Sequence, residues 1–187
     1  MTGSAERPLL FLDVDGPLIP FGAASGQYPG GYPTYGTDPA GPDENPILAR
    51  INPAHGPRLM VLPCELVWAT TWMAEANETV APRLGLPELA VVSWPEPADG
   101  EAEAVAEQDA RRGLHWKTRA LVERAGGRSF AWVDDEITDI DRAWVSAHHH
   151  GRALLHRVDP RRGLTDADFD VLGEWLATEA AEAADGS

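Results

Sequence analysis

Cysteine is almost missing from this chain. Cys64 is the only one among 187 residues, which excludes a disulfide framework and a cysteine-rich zinc site. A single cysteine next to an apolar run reads as a small core residue rather than an activated thiol. Basic residues are scarce too: 15 Lys and Arg stand against 30 Asp and Glu, for a formal net charge of -15. A broad, sequence-blind grip on nucleic acid needs a basic face, so that class is excluded. One local pocket can still oppose the global field and take a phosphorylated small molecule or a nucleic-acid end. Nowhere do about 18 uncharged apolar residues follow one another, so no membrane span is expected. The opening "MTGSAERPLLFLDV" lacks the basic start and small-residue cleavage site of a secretory leader. A cytoplasmic location is the expectation.

The hydrophobic fraction of 43 % and seven Trp argue for a packed core rather than a disordered chain. The length suits one domain over residues 1–187. Residues 8–14 form a continuous apolar strand of the kind buried on both faces. Residues 20–46 are rich in Gly, Pro and Tyr and read as a long flap. A short helix is expected over 47–52, stopped by Pro53 and Gly56. Further strands are expected at 65–70, 88–94, 130–133 and 152–158. Helices are expected at 73–84, 116–125 and 140–149. The acidic, alanine-rich stretch 95–113 reads as a solvated excursion. A terminal helix follows, with Thr165 as its N-cap and Asp166 and Asp168 in its first turn. Strands alternating with helices predict a mainly parallel sheet between helical layers. In such sheets the ligand sits at the carboxyl ends of the strands.

Several chemistry-bearing residues fall at those ends. "FLDVDGPL" closes a strand with Asp13 and sets Asp15 in the next turn, where Gly16 frees the backbone. Two carboxylates this close repel unless a proton or a cation lies between them. "LVWATTWM" ends a strand in Thr70 and Thr71, whose hydroxyl and backbone N–H suit a phosphate oxygen. "HWKTRAL" puts Lys117 at a helix start, where the dipole does not favour a cation, so its side chain has reason to reach for anionic groups. "FAWVDDEITDID" runs a strand into Asp134 and Asp135, with Asp139 and Asp141 beyond. Crowded carboxylates suit solvation or a hard cation, which prefers oxygen ligands.

The ordered set DxDG, strand-end Thr, Lys and DD with a later Asp resembles the four motifs of the haloacid dehalogenase (HAD) superfamily. "LVWATTWMAEAN" and "DPRRGLTDAD" are similar to the HAD domain of Swiss Army Knife RNA-repair proteins. The resemblance implies a Rossmann-like three-layer α/β/α sandwich with no large cap domain, and phosphatase chemistry. On it, Asp13 is the nucleophile that forms an aspartyl-phosphate, and Asp15 is the general acid and then the base. Thr70, Thr71 and Lys117 would hold the phosphoryl oxygens. Mg²⁺ would meet the Asp13 carboxylate, the Asp15 carbonyl and one of Asp134 or Asp135, with Asp135 aligning with the Asp of the commoner Gly-Asp. Asp139 would support the metal shell through water or Lys117. Two departures stand out: Pro17 removes an N–H from the turn, and Asp134 replaces the usual glycine. A non-catalytic binding module and a phosphotransferase with a non-water acceptor are the rival readings.

Other conspicuous residues read as structural. His148, His149 and His150 are consecutive, and neighbours on a helix do not share a face. Trp68, Trp132 and Trp144 read as core. Trp72 and Trp116 adjoin Thr70 and Lys117 and are candidate pocket walls, as are Tyr28, Tyr32 and Tyr35 in the flap.

Overall fold

A computed structural model describes residues 7–36, 45–94 and 100–185. Five strands form one all-parallel sheet in the order β3-β2-β1-β4-β5. They are β1 (Leu9–Leu12), β2 (Glu65–Trp68), β3 (Ala90–Val91), β4 (Phe130–Asp134) and β5 (Ala153–Arg157). The central strand β1 is buried along its whole length, as its unbroken "LLFL" requires of a strand covered on both faces.

The two faces divide the apolar residues by their period of two. Leu10, Leu12, Trp68, Ala131 and Val133 pack on one side with Leu59 of α1 (His55–Met60), Leu84 of α2 (Ala81–Leu84) and Leu172 and Leu176 of α6 (Asp166–Asp185). Leu9, Phe11, Val67, Phe130 and Trp132 pack on the other. They meet Leu121 of α4 (Thr118–Ala125) and Val145 of α5 (Asp139–His148). This is the expected α/β/α sandwich. Cys64 lies in the first core, where burial pushes its thiol up to about 12. No helix among the described residues is long and apolar enough to cross a membrane.

Some local expectations are corrected. The helix expected over 47–52 is a 3-10 turn at Pro46–Arg50. The next helix, α1, begins at His55 and carries both Gly56 and Pro57. Pro57 is tolerated because first-turn N–H groups have no helical partner. The expected helix 73–84 is a turn, a π-helix at Ala76–Val80, and only then α2. Residues 100–112 of the acidic stretch form α3 (Gly100–Arg112), solvated along most of its length. Its Ala and Glu are strong helix formers, with Glu101 and Glu103 at the positive end and Arg111 and Arg112 at the negative end. Residues 95–99 of that stretch, and 37–44 of the flap, lie outside the described residues.

Gly56 marks the closest approach of two helices. A Cβ there would stand 1.6 Å from the Leu84 carbonyl oxygen, which belongs to rigid backbone. Gly56→Ala is therefore expected to cost about 3 kcal/mol, the upper range for overpacking. Urea unfolding checks this, and an unchanged midpoint would contradict the close packing of α1 on α2.

Candidate active site

Sheet order brings the carboxylates together. β1 and β4 are neighbours in register, with Leu12 opposite Val133, so Asp13 and Asp134 leave the sheet side by side. The Asp13 N–H donates to the Val133 carbonyl (3.0 Å) and fixes this exit. Asp13, Asp134 and Asp135 are all buried, and one carboxylate oxygen from each lies within 4.8 Å of the others.

Lys117 is buried among them. Its Nζ stands 2.9 Å from Asp13 Oδ2 and 2.8 Å from Asp134 Oδ2, over the Trp116 ring at 5.6 Å. Burial pulls the lysine's pKa down, but Asp13 and Asp134 outweigh it and the net shift is upward, so the ammonium stays charged. Burial, with Asp134 adding to it, raises Asp13 to about 7 against the pull of Lys117. Burial likewise lifts Asp135 to about 6. One lysine thus faces three carboxylates.

Asp134 and Asp135 have different surroundings. Asp134 Oδ2 also accepts from Trp132 Nε1 (3.2 Å), and its Oδ1 accepts from the Glu136 N–H (2.9 Å). No side chain among the described residues donates to the Asp135 carboxylate. Gly16, at φ +89°, lets the turn after Asp15 come against Asp135: a Cβ at Gly16 would lie 2.7 Å from Asp135 Cγ. The donor set is therefore oxygen-only, buried and short of positive charge, which fits a hard divalent cation such as Mg²⁺. Asp13 and Asp135 are its most available carboxylates.

The remaining expected residues divide. Asp15 is half-buried and accepts from Trp72 Nε1 at 2.9 Å. The turn that carries it closes despite Pro17, because the Gly16 N–H donates to Ile19 and the Leu18 N–H to Val14. Thr70 is fully buried at the end of β2; its hydroxyl accepts from the Trp72 N–H (3.3 Å) and its carbonyl from Trp94 Nε1 (3.0 Å). Thr71 is exposed beside it.

Asp139 stands apart from this group: its side chain is fully exposed and, among the described residues, pairs with Arg142 of its own helix (3.2 Å). The buried residue is Asp141. Asp141 closes a capping box with Thr138 at the start of α5 and accepts from the His115 N–H (2.7 Å) and the Thr118 hydroxyl (2.7 Å). It thereby ties α5 to the segment carrying Lys117. The "TDID" spacing, Thr followed three residues later by Asp, held that signal.

A second oxygen–nitrogen cluster, His115 with Asp134 and Glu136, has another explanation. His115 Nδ1 accepts from the Lys117 N–H (3.2 Å), so Nε2 carries the proton and donates to Glu136 (3.2 Å). Of the histidine run, His148 stacks on Trp144 at 4.1 Å and His149 Nε2 meets the Arg128 carbonyl at 3.0 Å.

Carboxylates at the ends of β1 and β4, a buried lysine between them and a threonine ending β2 define a HAD-type site on a parallel sheet. The family model described as the HAD domain in Swiss Army Knife RNA repair proteins matches residues 9–169, and the chain belongs to that family. Membership of that family points to phosphatase or phosphotransferase chemistry of the HAD type. No curated protein and no solved structure matches the chain.

Two outcomes are expected. A carboxyl raised by folding stabilises the fold only while protonated. The contribution of Asp13 and Asp135 is therefore complete below their ordinary 3.8 and lost as pH rises through about 7 and about 6 respectively. Asp109, Asp141 and Asp168 are held low, so their contribution is present above 3.8 and lost only in acid. Metal-free protein should thus lose stability between roughly pH 4 and pH 7, and Mg²⁺ should restore more of it at the higher pH by replacing those protons. Equal Mg²⁺ stabilisation at both pH values in thermal melts would contradict the cation fit.

Asp141→Ala should cost about 3 kcal/mol, because it strips a cap and leaves buried donors unpaired. Asp139→Ala should stay within about 0.5 kcal/mol. Chemical denaturation of the two variants distinguishes them.

Proposed function

We propose that the protein is a Mg²⁺-dependent phosphomonoesterase that works through an aspartyl-phosphate on Asp13. The observation carrying this reading is the pairing of a buried strand-end carboxylate with its own lysine counter-ion, while a second carboxylate, Asp15, is held two residues on by Trp72. A structural role for the fold would not need both arrangements in one place.

The chemistry follows from what each group can do. An Asp13 carboxylate oxygen forms a bond to phosphorus as the ester P–O bond breaks. The Asp15 carboxyl gives its proton to the departing oxygen. Water then attacks the phosphorus and passes a proton to Asp15, while the Asp13 O–P bond breaks and phosphate leaves. Lys117 offsets negative charge at Asp13 throughout, and the Thr70–Thr71 strand end is the candidate holder of phosphoryl oxygens. A Mg²⁺ ion held by Asp13 and Asp135 would supply charge screening between the carboxylate and an anionic phosphate.

The family description, an RNA-repair domain, supports phosphates on nucleotides or nucleic-acid ends as substrates. The net charge of -15 favours an end or a small phosphate over a long duplex.

Phosphate release tests this. Asp13→Asn should lower Mg²⁺-dependent release by at least about a thousandfold, as expected when a nucleophile is lost. Asp15→Asn should lose about a hundredfold or more on an alkyl phosphate; on a nitrophenyl phosphate, whose leaving group needs no proton, the initial burst of nitrophenol should survive while later hydrolysis of the aspartyl-phosphate slows. Release that is equal in wild type and Asp13→Asn would overturn the reading. Transfer of phosphate to an added alcohol in preference to water would replace hydrolysis with phosphotransfer.

A further inference from the structure

One side chain, Trp72, joins Asp15 to a cleft. The Trp72 indole N–H donates to Asp15, and the same side chain lines an open cleft of about 590 Å³ together with Leu48, Thr71, Glu75, Thr79 and Arg83. A volume of that size lies within the range of small-molecule sites.

Two backbone irregularities shape this wall. Met73 has φ +51°, the only non-glycine residue with positive φ among the described residues. A left-handed bulky residue is strained and persists where its surroundings over-determine it. Three residues on, the chain enters the π-helix Ala76–Val80, in which the Ala81 N–H reaches back to the Ala76 carbonyl. Widened turns of this kind cluster at functional sites. Glu75 caps this segment and Thr79 lies within it, and the Thr79 hydroxyl donates to the Glu75 carbonyl (2.8 Å), leaving its oxygen free to accept.

We infer that this cleft is the leaving-group subsite and that it takes a polyhydroxylated ring, as in a sugar phosphate or a nucleotide. The inference rests on the phosphomonoesterase reading for one point: the departing oxygen must lie within reach of Asp15. Trp72 then serves two ends of one side chain. Its N–H holds the acid, and its ring offers an apolar face to the carbons of a sugar or a planar base. The Glu75 carboxylate and the Thr71 and Thr79 hydroxyls supply acceptors for ring hydroxyls. An alkyl leaving group would leave those acceptors unused.

Binding to Asp13→Asn, which cannot turn over, separates this inference from the catalytic one. Isothermal titration would compare a pentose monophosphate, a ribonucleoside monophosphate and ethyl phosphate in the presence of Mg²⁺. The ring phosphates should bind at least about tenfold tighter than ethyl phosphate, the scale of one or two hydrogen bonds to a charged group. Adding Glu75→Ala should remove most of that preference and leave ethyl phosphate nearly unaffected. Thr79→Val is the second variant, should Glu75→Ala perturb folding, and is expected to act in the same direction. Equal affinity for the pentose and nucleoside phosphates would place recognition in the sugar, whereas a tighter nucleoside would extend it to the base; both uphold the subsite. Ethyl phosphate binding as tightly as the ring phosphates, or a preference untouched by both variants, would overturn it. Failure of wild type to release phosphate would instead strike the catalytic reading alone.

Discussion

The Lys117 ammonium, 2.9 Å from Asp13 and 2.8 Å from Asp134 in a buried site, is the interaction on which the arrangement turns. Carboxylates gathered at adjacent strand ends repel and are poorly solvated, and each alone would favour its protonated form. A single ammonium shared by two of them favours the anionic form of Asp13, which the proposed attack on phosphorus requires. It does not neutralise the set, since Asp135 remains. That residual charge is why an oxygen-ligated cation belongs to the same explanation as the lysine. Removing one partner from such a group is far costlier than the group's net worth, because an uncompensated buried charge stays behind.

Holding that ammonium is the work of residues outside the four motifs. Asp141 accepts from His115 N–H and Thr118 Oγ1, one on each side of the Lys117 segment, while also capping α5. Trp132 donates to Asp134 from within β4, orienting the carboxylate that the lysine shares. On the opposite side, the loop after β5 supports the Asp15 turn: the Leu164 N–H donates to the Pro17 carbonyl (2.8 Å) and the Phe21 N–H to that of Pro160 (2.8 Å). Gly163, at φ +69°, permits this contact, since a Cβ there would press on the Pro17 carbonyl oxygen at 3.0 Å. The late "DPRRGLTDAD" stretch therefore belongs to the architecture of the Asp15 turn.

The strands and the site carboxylates are legible in the sequence because burial on two faces leaves an unbroken apolar run, and polar residues ending such a run stand out against it. "LLFLD" and "FAWVDD" carry that pattern in full. The partner of Asp13 is not legible this way, since only sheet order places β4 beside β1 and brings its terminal carboxylates to Asp13. Spacing along the chain says nothing of helix phase: with Thr138 as the N-cap of α5, Asp139 turns to solvent and Asp141 inward. The π-helix gives no signal in hydrophobic periodicity. Its physical cause is nevertheless present: Pro82, one turn later, has no N–H to return to the helix, and the chain accommodates it with a widened turn. The helix α3 was obscured by its charge, although Ala and Glu at this density favour a helix whether or not a face is buried.

On the proposed function, an acidic protein acts on an anion and must reconcile its field with that substrate. At net charge -15 the long-range potential repels phosphate, and a polyanion more than a monoester. Attraction exists only close in, where Lys117 and a bound cation act across a few ångströms of poorly solvated space. Screening by salt removes the repulsion beyond about 10 Å and leaves the buried contacts nearly intact. Association of an anionic substrate with this site should therefore quicken, or at least hold, as salt rises. A protein that grips nucleic acid through a basic face behaves in the opposite way, losing affinity steeply as counterions compete. The charge distribution thus fits a site that accepts one terminal phosphate and the ring that bears it, and is unsuited to one that reads along a backbone.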